Sequence, residues 1–285
     1  MKNILLALII CLVSCTEKME IDVNDAPSQL VIYGTITTDT TQHAISVRRS
    51  SNYFSNTAPE GISNATVTLS DGEKTFILTE NPSEKGVYLT TPDVFGTEGK
   101  TYTLKVAVEF NGTTEEYEAT SFLPYSARVD SVVFRQSGLA ADIIAVMLYG
   151  MLPASANNYL NIVAYKNDTV SINDKLSEFN IIASENTDNR KINGAVCMYI
   201  RSEYDEDREY MEKGDLVTFQ IRSITKEYAD YVQDVQSESR GSVPIFGGPP
   251  ANVRTNILPL NESNTAPVCG FFTAYSKTES STVYR

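Results

Sequence analysis

No tryptophan occurs in this 285-residue chain, and histidine occurs once, at His43. A single histidine excludes an H-E-x-x-H zinc site, which needs two, and leaves a Ser-His-Asp hydrolase with one candidate base. His43 stands between Gln42 and Ala44 in an alternating stretch, which predicts a surface histidine rather than a catalytic one. No G-x-S-x-G elbow, P-loop or dinucleotide fingerprint occurs. Basic residues are scarce as well: 23 Lys and Arg face 36 Asp and Glu, for a formal charge of −13. A chain of that sign repels phosphate backbones, and its densest basic window is only "HAISVRRS", which speaks against nucleic acid as a partner. Cysteine occurs four times and never as C-x-x-C, so neither a redox motif nor a zinc knuckle is suggested. Long apolar runs are missing too. The longest, residues 4–13, falls well short of the roughly 20 residues a spanning helix needs.

That short run is informative in its context. Residues 1–15 read "MKNILLALIICLVSC": a lysine, an apolar core of signal-peptide length, then Leu12-Val13-Ser14-Cys15. The last four residues resemble the lipobox of bacterial lipoproteins. The resemblance implies a signal peptide over 1–14, cleavage after Ser14, and a diacylglyceryl group and further acylation (palmitate among the acyl chains) on Cys15. Each buried CH₂ adds about 0.8 kcal/mol, so several acyl chains anchor firmly where one would be marginal. Thr16, where Asp is absent, favours the outer membrane by the same resemblance, and "TEKME" resembles the export signal of surface-facing lipoproteins. Cys11 leaves with the signal, so Cys197 and Cys269 remain. They form either a disulfide closing a long loop or two unpaired small hydrophobes.

Beyond an acidic tether over 15–28, the periodicity stays near two. With 16 Tyr and 11 Phe in alternating runs, the composition suits sheets. "ATVTLSDGEKTFILTE" reads as strand, Asp71-Gly72 turn, strand, and Asn111-Gly112 makes a second hairpin turn after "KTYTLKVAVEF". Such closely spaced strands over 29–124 predict a β-sandwich, because facing sheets cover each other's apolar sides. Residues 125–285 predict a second β-rich domain. Its "DIIAVMLYGML" fits a buried strand or a buried helix, which period alone does not distinguish. Only "TKEYADYVQDVQSESRG" changes period: Tyr228, Tyr231, Val232 and Val235 recur at i, i+3, i+4 and i+7, with Thr225 as cap, predicting one amphipathic helix near 226–239. The acidic run "RSEYDEDREYMEKGD" lacks the ligand spacing of an EF-hand and reads as a solvated connection. "VPIFGGPPANVRTN" reads as a rigid loop.

Four segments in order resemble the Bacteroidetes outer-membrane lipoproteins grouped as domain-of-unknown-function family 4249: "SCTEKMEIDVNDAPSQLVIYGTITTD", "ISNATVTLSDG" with "GKTYTLKV", "GDLVTFQIRSITKEYADYVQDV", and "FGGPPANVRTNI" followed by "CGFFTAYS". The resemblance implies an immunoglobulin-like or transthyretin-like N-terminal sandwich and a mainly β fold. It also implies a cell-envelope accessory role beside a TonB-dependent outer-membrane transporter, and it carries no catalytic residues and no cofactor. The expectation is therefore a non-catalytic, lipid-anchored outer-membrane accessory or binding protein, its small-molecule or glycan ligand unspecified. The alternatives are a structural or adhesive envelope protein and, further off, a surface glycan-active hydrolase. The last would need two carboxylates at a set separation, and sequence spacing singles out no pair among 36 acids.

Overall fold

The computed structural model describes residues 28–50, 59–138, 140–155, 157–185, 190–201, 211–239, 253–261, 264 and 267–285. The first strands are β1 (Leu30–Thr37), β2 (Ala44–Arg49), β3 (Glu60–Gly61), β4 (Thr66–Ser70), β5 (Thr75–Ile77), β6 (Thr79–Glu80), β7 (Val87–Leu89), β8 (Thr101–Phe110) and β9 (Thr113–Phe122). There follow β10 (Arg128–Gln136), β11 (Ile143–Met151), β12 (Asn158–Lys166), β13 (Val170–Ser171), β14 (Asn180–Ser184), β15 (Lys191–Arg201), β16 (Leu216–Ile224), the helix α1 (Lys226–Ser239), β17 (Leu258–Pro259) and β18 (Val268–Val283). The architecture is mainly β, with sheets stacked face to face and a single longer helix among the described residues.

Alternation builds the sheets. In β1, Leu30, Ile32 and Ile36 are fully buried on one face while Val31, Tyr33 and Thr35 point the other way. The β8–β9 hairpin closes through Asn111 (φ 52) and Gly112 (φ 84), the two successive positive φ values that a two-residue hairpin loop of matching twist requires. Three sheets result. A ten-stranded sheet runs β13-β12-β16-β18-β1-β2-β7-β6, with β14 on β12 and β3 on β2; the others run β17-β9-β8-β4-β5 and β10-β11-β15.

The two smaller sheets cover different halves of the large one. Leu30, Ile32, Val47 and Phe272 from the large sheet meet Val67, Leu104, Val106 and Tyr117 from the five-stranded sheet, forming the first core. Ile162, Phe219 and Ile221 meet Val132, Val146, Leu148 and Ile200 from the three-stranded sheet, forming the second. The segment "IIAVMLYGM" is the central strand β11, hydrogen-bonded to β10 on one side and β15 on the other. Its Ile and Val fit the pleat, and the near-continuous apolar character follows from burial between two neighbours.

The helix falls on the predicted residues. Thr225 Oγ1 accepts the Tyr228 N–H at 3.2 Å, capping the first turn. Tyr228, Tyr231, Val232 and Val235 then cover the outer face of the large sheet around Phe271, Tyr33 and Tyr159. The Tyr231 and Phe271 ring centroids are 4.7 Å apart, and the Tyr33 and Tyr228 hydroxyls share a 2.8 Å hydrogen bond. No helix among the described residues is long and apolar enough to cross a membrane.

β9 ends at Phe122 and β10 begins at Arg128, on either side of Pro124. The chain then returns. β17 pairs with β9, and Val268–Tyr275 of β18 runs parallel to Leu30–Thr37 of β1. From Ser276 to Val283 the same strand pairs antiparallel with β16 in the second sandwich. No single cut in the sequence separates the two sandwiches, because one continuous strand is built into both. Gly270 permits this close passage: its φ is +103, and a Cβ there would stand 2.0 Å from Ile32 O.

Candidate functional site

The residues singled out in the sequence do not converge. Cys15 lies outside the described residues, as do residues 202–210 of the acidic run and residues 243–252 of the Gly-Pro loop. Cys197 and Cys269 are free thiols in different surroundings. Cys197, on β15, is packed in the second core, and burial pushes its thiol up to about 12. Cys269, on β18, pairs with Val31 of β1 and is likewise raised by burial. Neither has the lowered pKa of a reactive or ligating thiolate.

His43 corrects an expectation. It is buried rather than superficial, with 4% of its surface exposed. The loop after β7 crosses it, so its N–H donates to Thr90 Oγ1 at 2.9 Å and its ring Nε2 lies 3.2 Å from Val94 O. Burial lowers its pKa, and the neutral ring serves as a hydrogen-bonded strut. Among the described residues no group of three or more His, Cys, Asp or Glu side chains is placed to hold a metal ion.

A concave feature with mixed chemistry among the described residues is a crease of about 410 Å³ where the two sandwiches join. Three stretches far apart in sequence build it. The end of β9 and the crossing to β10 give Phe122, Pro124 and Tyr125; the β11–β12 loop gives Pro153, Ala154, Ser155 and Asn157 and leads straight into Asn158 and Tyr159 of β12; the last stretch gives Ser223 to Glu227, where β16 passes into α1. Local bonds hold each wall. Ser223 Oγ accepts the Ala127 N–H at 3.1 Å, and the Ser126 N–H donates to Glu98 Oε1 at 3.0 Å, tying down the crossing segment. Ser155 Oγ donates to Asn157 O at 2.8 Å and Asn158 Nδ2 to Ser155 O at 3.0 Å, bracing the β11–β12 loop.

The aromatic wall is open, and one of its rings is braced by a neighbour in the chain fold. Tyr125 is 57% and Phe122 42% exposed. The Tyr125 ring rests against Gly99, whose φ is +82 and where a Cβ would come within 2.7 Å of the Tyr125 hydroxyl. On the opposite wall, the Tyr159 hydroxyl donates to Glu185, which pushes its pKa up to about 12. Lys226 Nζ stands 6.0 Å from the Tyr159 ring centroid and is paired with Asp230 at 2.8 Å, which raises its pKa.

Chemically, the crease offers hydroxyls, amides, an aromatic wall and one ion of each sign. Its described lining holds no histidine and no thiol, and a single carboxylate, Glu227. That set can hold a small molecule, but it has no nucleophile–base pair and no second acid at a glycosidase separation. The sequence placed a boundary between residues 124 and 125 and a cap at Thr225, and both positions prove to border the crease. No signal singled out Tyr125 or Asn158 as a site residue, since each belongs to the site only through the folding of distant segments.

A family model described as "Domain of unknown function (DUF4249)" matches residues 16–281. No curated protein matches the chain. Among solved structures, a two fibronectin type-III domain segment from chicken tenascin is similar at 11% identity and a TM-score of 0.21, covering 69% of this chain and 90% of that one. A likeness that low carries no argument.

Proposed function

This chain belongs to the DUF4249 family, and from that premise we propose that it is a non-catalytic, lipid-anchored binding protein of the Bacteroidetes outer membrane, accessory to TonB-dependent nutrient uptake. The observation that carries the binding part is the crease at the joint: a concave site with an aromatic wall and neutral polar groups, but no catalytic pair in its described lining. The order of charge, apolar run, Ser14 and Cys15 supports the anchor, with acyl chains on Cys15 holding the protein at the cell surface. The transporter association rests on the family resemblance. Purification of the tagged protein from its native outer membrane in mild detergent, with mass spectrometry of the chain and its companions, tests the whole reading. Acylated Cys15 and a stoichiometric TonB-dependent channel are expected. An unmodified Cys15 in an uncleaved chain would remove the anchor, and a lone acylated chain would remove the transporter.

A structural or adhesive envelope role is the second reading. The outer face of the three-stranded sheet favours it, because Val133 and Val196 flank Met147 in one row there and are 41% and 44% exposed. Tyr199 is 54% exposed in the next row of that face.

A further inference from the structure

We propose that the crease at the joint binds a neutral sugar ring, one pyranose of a glycoside or short glycan, with Tyr125 as the stacking face. The proposal rests on the binding reading above and names the ligand class. Three features select that class. First, Tyr125 is 57% exposed and lines the crease while its hydroxyl end packs against Gly99, so the ring is held in place before any ligand arrives. An aromatic face suits the C–H side of a pyranose.

Second, the polar groups offer both donors and acceptors. Asn158 is 9% exposed; its Nδ2 is spent on Ser155 O, while its Oδ1 takes no hydrogen bond among the described residues. The N–H groups of Lys226 and Glu227 stand too near the start of α1 to find an intrahelical acceptor. Each sugar hydroxyl both donates and accepts, and so matches a mixed set. An apolar ligand would leave these groups without partners, at a cost of roughly 1–3 kcal/mol each if water were excluded.

Third, charge disfavours an anion. Lys226 is already paired with Asp230, Glu227 lines the same space, and the chain carries −13 overall. About 410 Å³ lies toward the small end of ligand pockets, which run from roughly 300 to 1,000 Å³, room for a ring or a short oligosaccharide.

The test is saturation-transfer NMR on the full purified chain in detergent. The probes are the methyl pyranosides of glucose, galactose, mannose, xylose and N-acetylglucosamine, with inorganic phosphate and benzoate as competing chemistries. At least one glycoside should bind saturably, with transfer strongest to the protons of one ring face. Tyr125→Ala should weaken it about tenfold, Tyr125→Phe no more than about twofold, and Gly99→Ala, which displaces the supported ring, several-fold. Tyr125 is exposed, so its loss leaves the cores intact. The proposal is overturned if no glycoside binds, if binding is unchanged in Tyr125→Ala, or if phosphate or benzoate occupies the site in place of the sugars. No transporter is present in this assay, so a negative result here and a missing channel in the membrane purification are separate failures.

Discussion

Replacing Gly270 with alanine tests whether the shared strand holds the two sandwiches together. At φ +103 a side chain is strained whatever the space, and residues forced into such regions cost on the order of 1–3 kcal/mol. The space is also taken: the new Cβ would sit 2.0 Å from Ile32 O, against a practical minimum of 3.0 Å. The obstacle is backbone, so no rotamer change relieves it. β1 and β18 must part by about 1 Å, weakening hydrogen bonds of the parallel ladder that each contribute roughly 0.5–1.5 kcal/mol net. The sum is about 2–5 kcal/mol, a large part of the 5–15 kcal/mol typical of a domain. At about 2–4 °C per kcal/mol for a chain of this size, Tm should fall by roughly 5–15 °C. Thermal unfolding followed by far-UV circular dichroism and by tyrosine fluorescence, a clean reporter here because tryptophan is absent, would measure it. Because β18 is common to both sandwiches, the two signals should move together in one transition. A Tm within about 2 °C of the parent, or a shift confined to one of two separated transitions, would refute the reasoning.

Other outcomes follow from single contacts. Thr225→Ala removes the cap on the Tyr228 N–H and should cost about 1 kcal/mol in urea denaturation, while Thr225→Ser should cost far less. Phe272→Ala empties a fully buried position in the first core and should cost about 3–5 kcal/mol by the same measurement. Asp71 is partly desolvated, which raises its pKa, but the Lys74 N–H, the Lys100 ammonium and the Glu73 N–H outweigh this and hold it at about 2. Its folded pKa thus lies below the ordinary 3.8, so its contribution is present above that value and lost as pH falls toward 2. Asp71→Asn should therefore flatten stability against pH in that window, by an amount on the order of 1 kcal/mol once the solvent around Lys100 is allowed for. Cys197, buried with its thiol raised to about 12, should resist Ellman's reagent in the native chain at pH 8 and react once denaturant is added.

What could be read from the residues was what local chemistry decides. Asn111-Gly112 demands a tight turn because two adjacent positive φ values suit few other pairs, and Tyr228, Tyr231, Val232 and Val235 share a face only in a helix. "IIAVMLYGM" stayed ambiguous because burial erases alternation, and only its two strand neighbours decide the matter. His43 was misplaced for a related reason: Thr90 and Val94, which cover and bond it, arrive from a loop some fifty residues on. The crease was invisible because its aromatic wall and its helix-side wall are about a hundred residues apart, and no spacing rule relates Tyr125 to Thr225.

The parallel pairing of β1 with β18 also sets the order in which this chain can fold. Lys277 N–H reaches Thr38 Oγ1 across 239 residues, and the neighbouring ladder spans a comparable distance. Closing so long a loop is slow. As the chain leaves a ribosome or a translocon, β1 must wait, the edge that β18 takes still unpaired, until about 240 residues more have emerged. Until then, Leu30, Ile32 and Ile36 have no complete core to enter, and a nascent chain presents them to any neighbouring chain or chaperone. Truncation at the C-terminus should accordingly disable the N-terminal sandwich, while synthesis of everything but the last strand leaves a polypeptide that is still easy to thread through a pore.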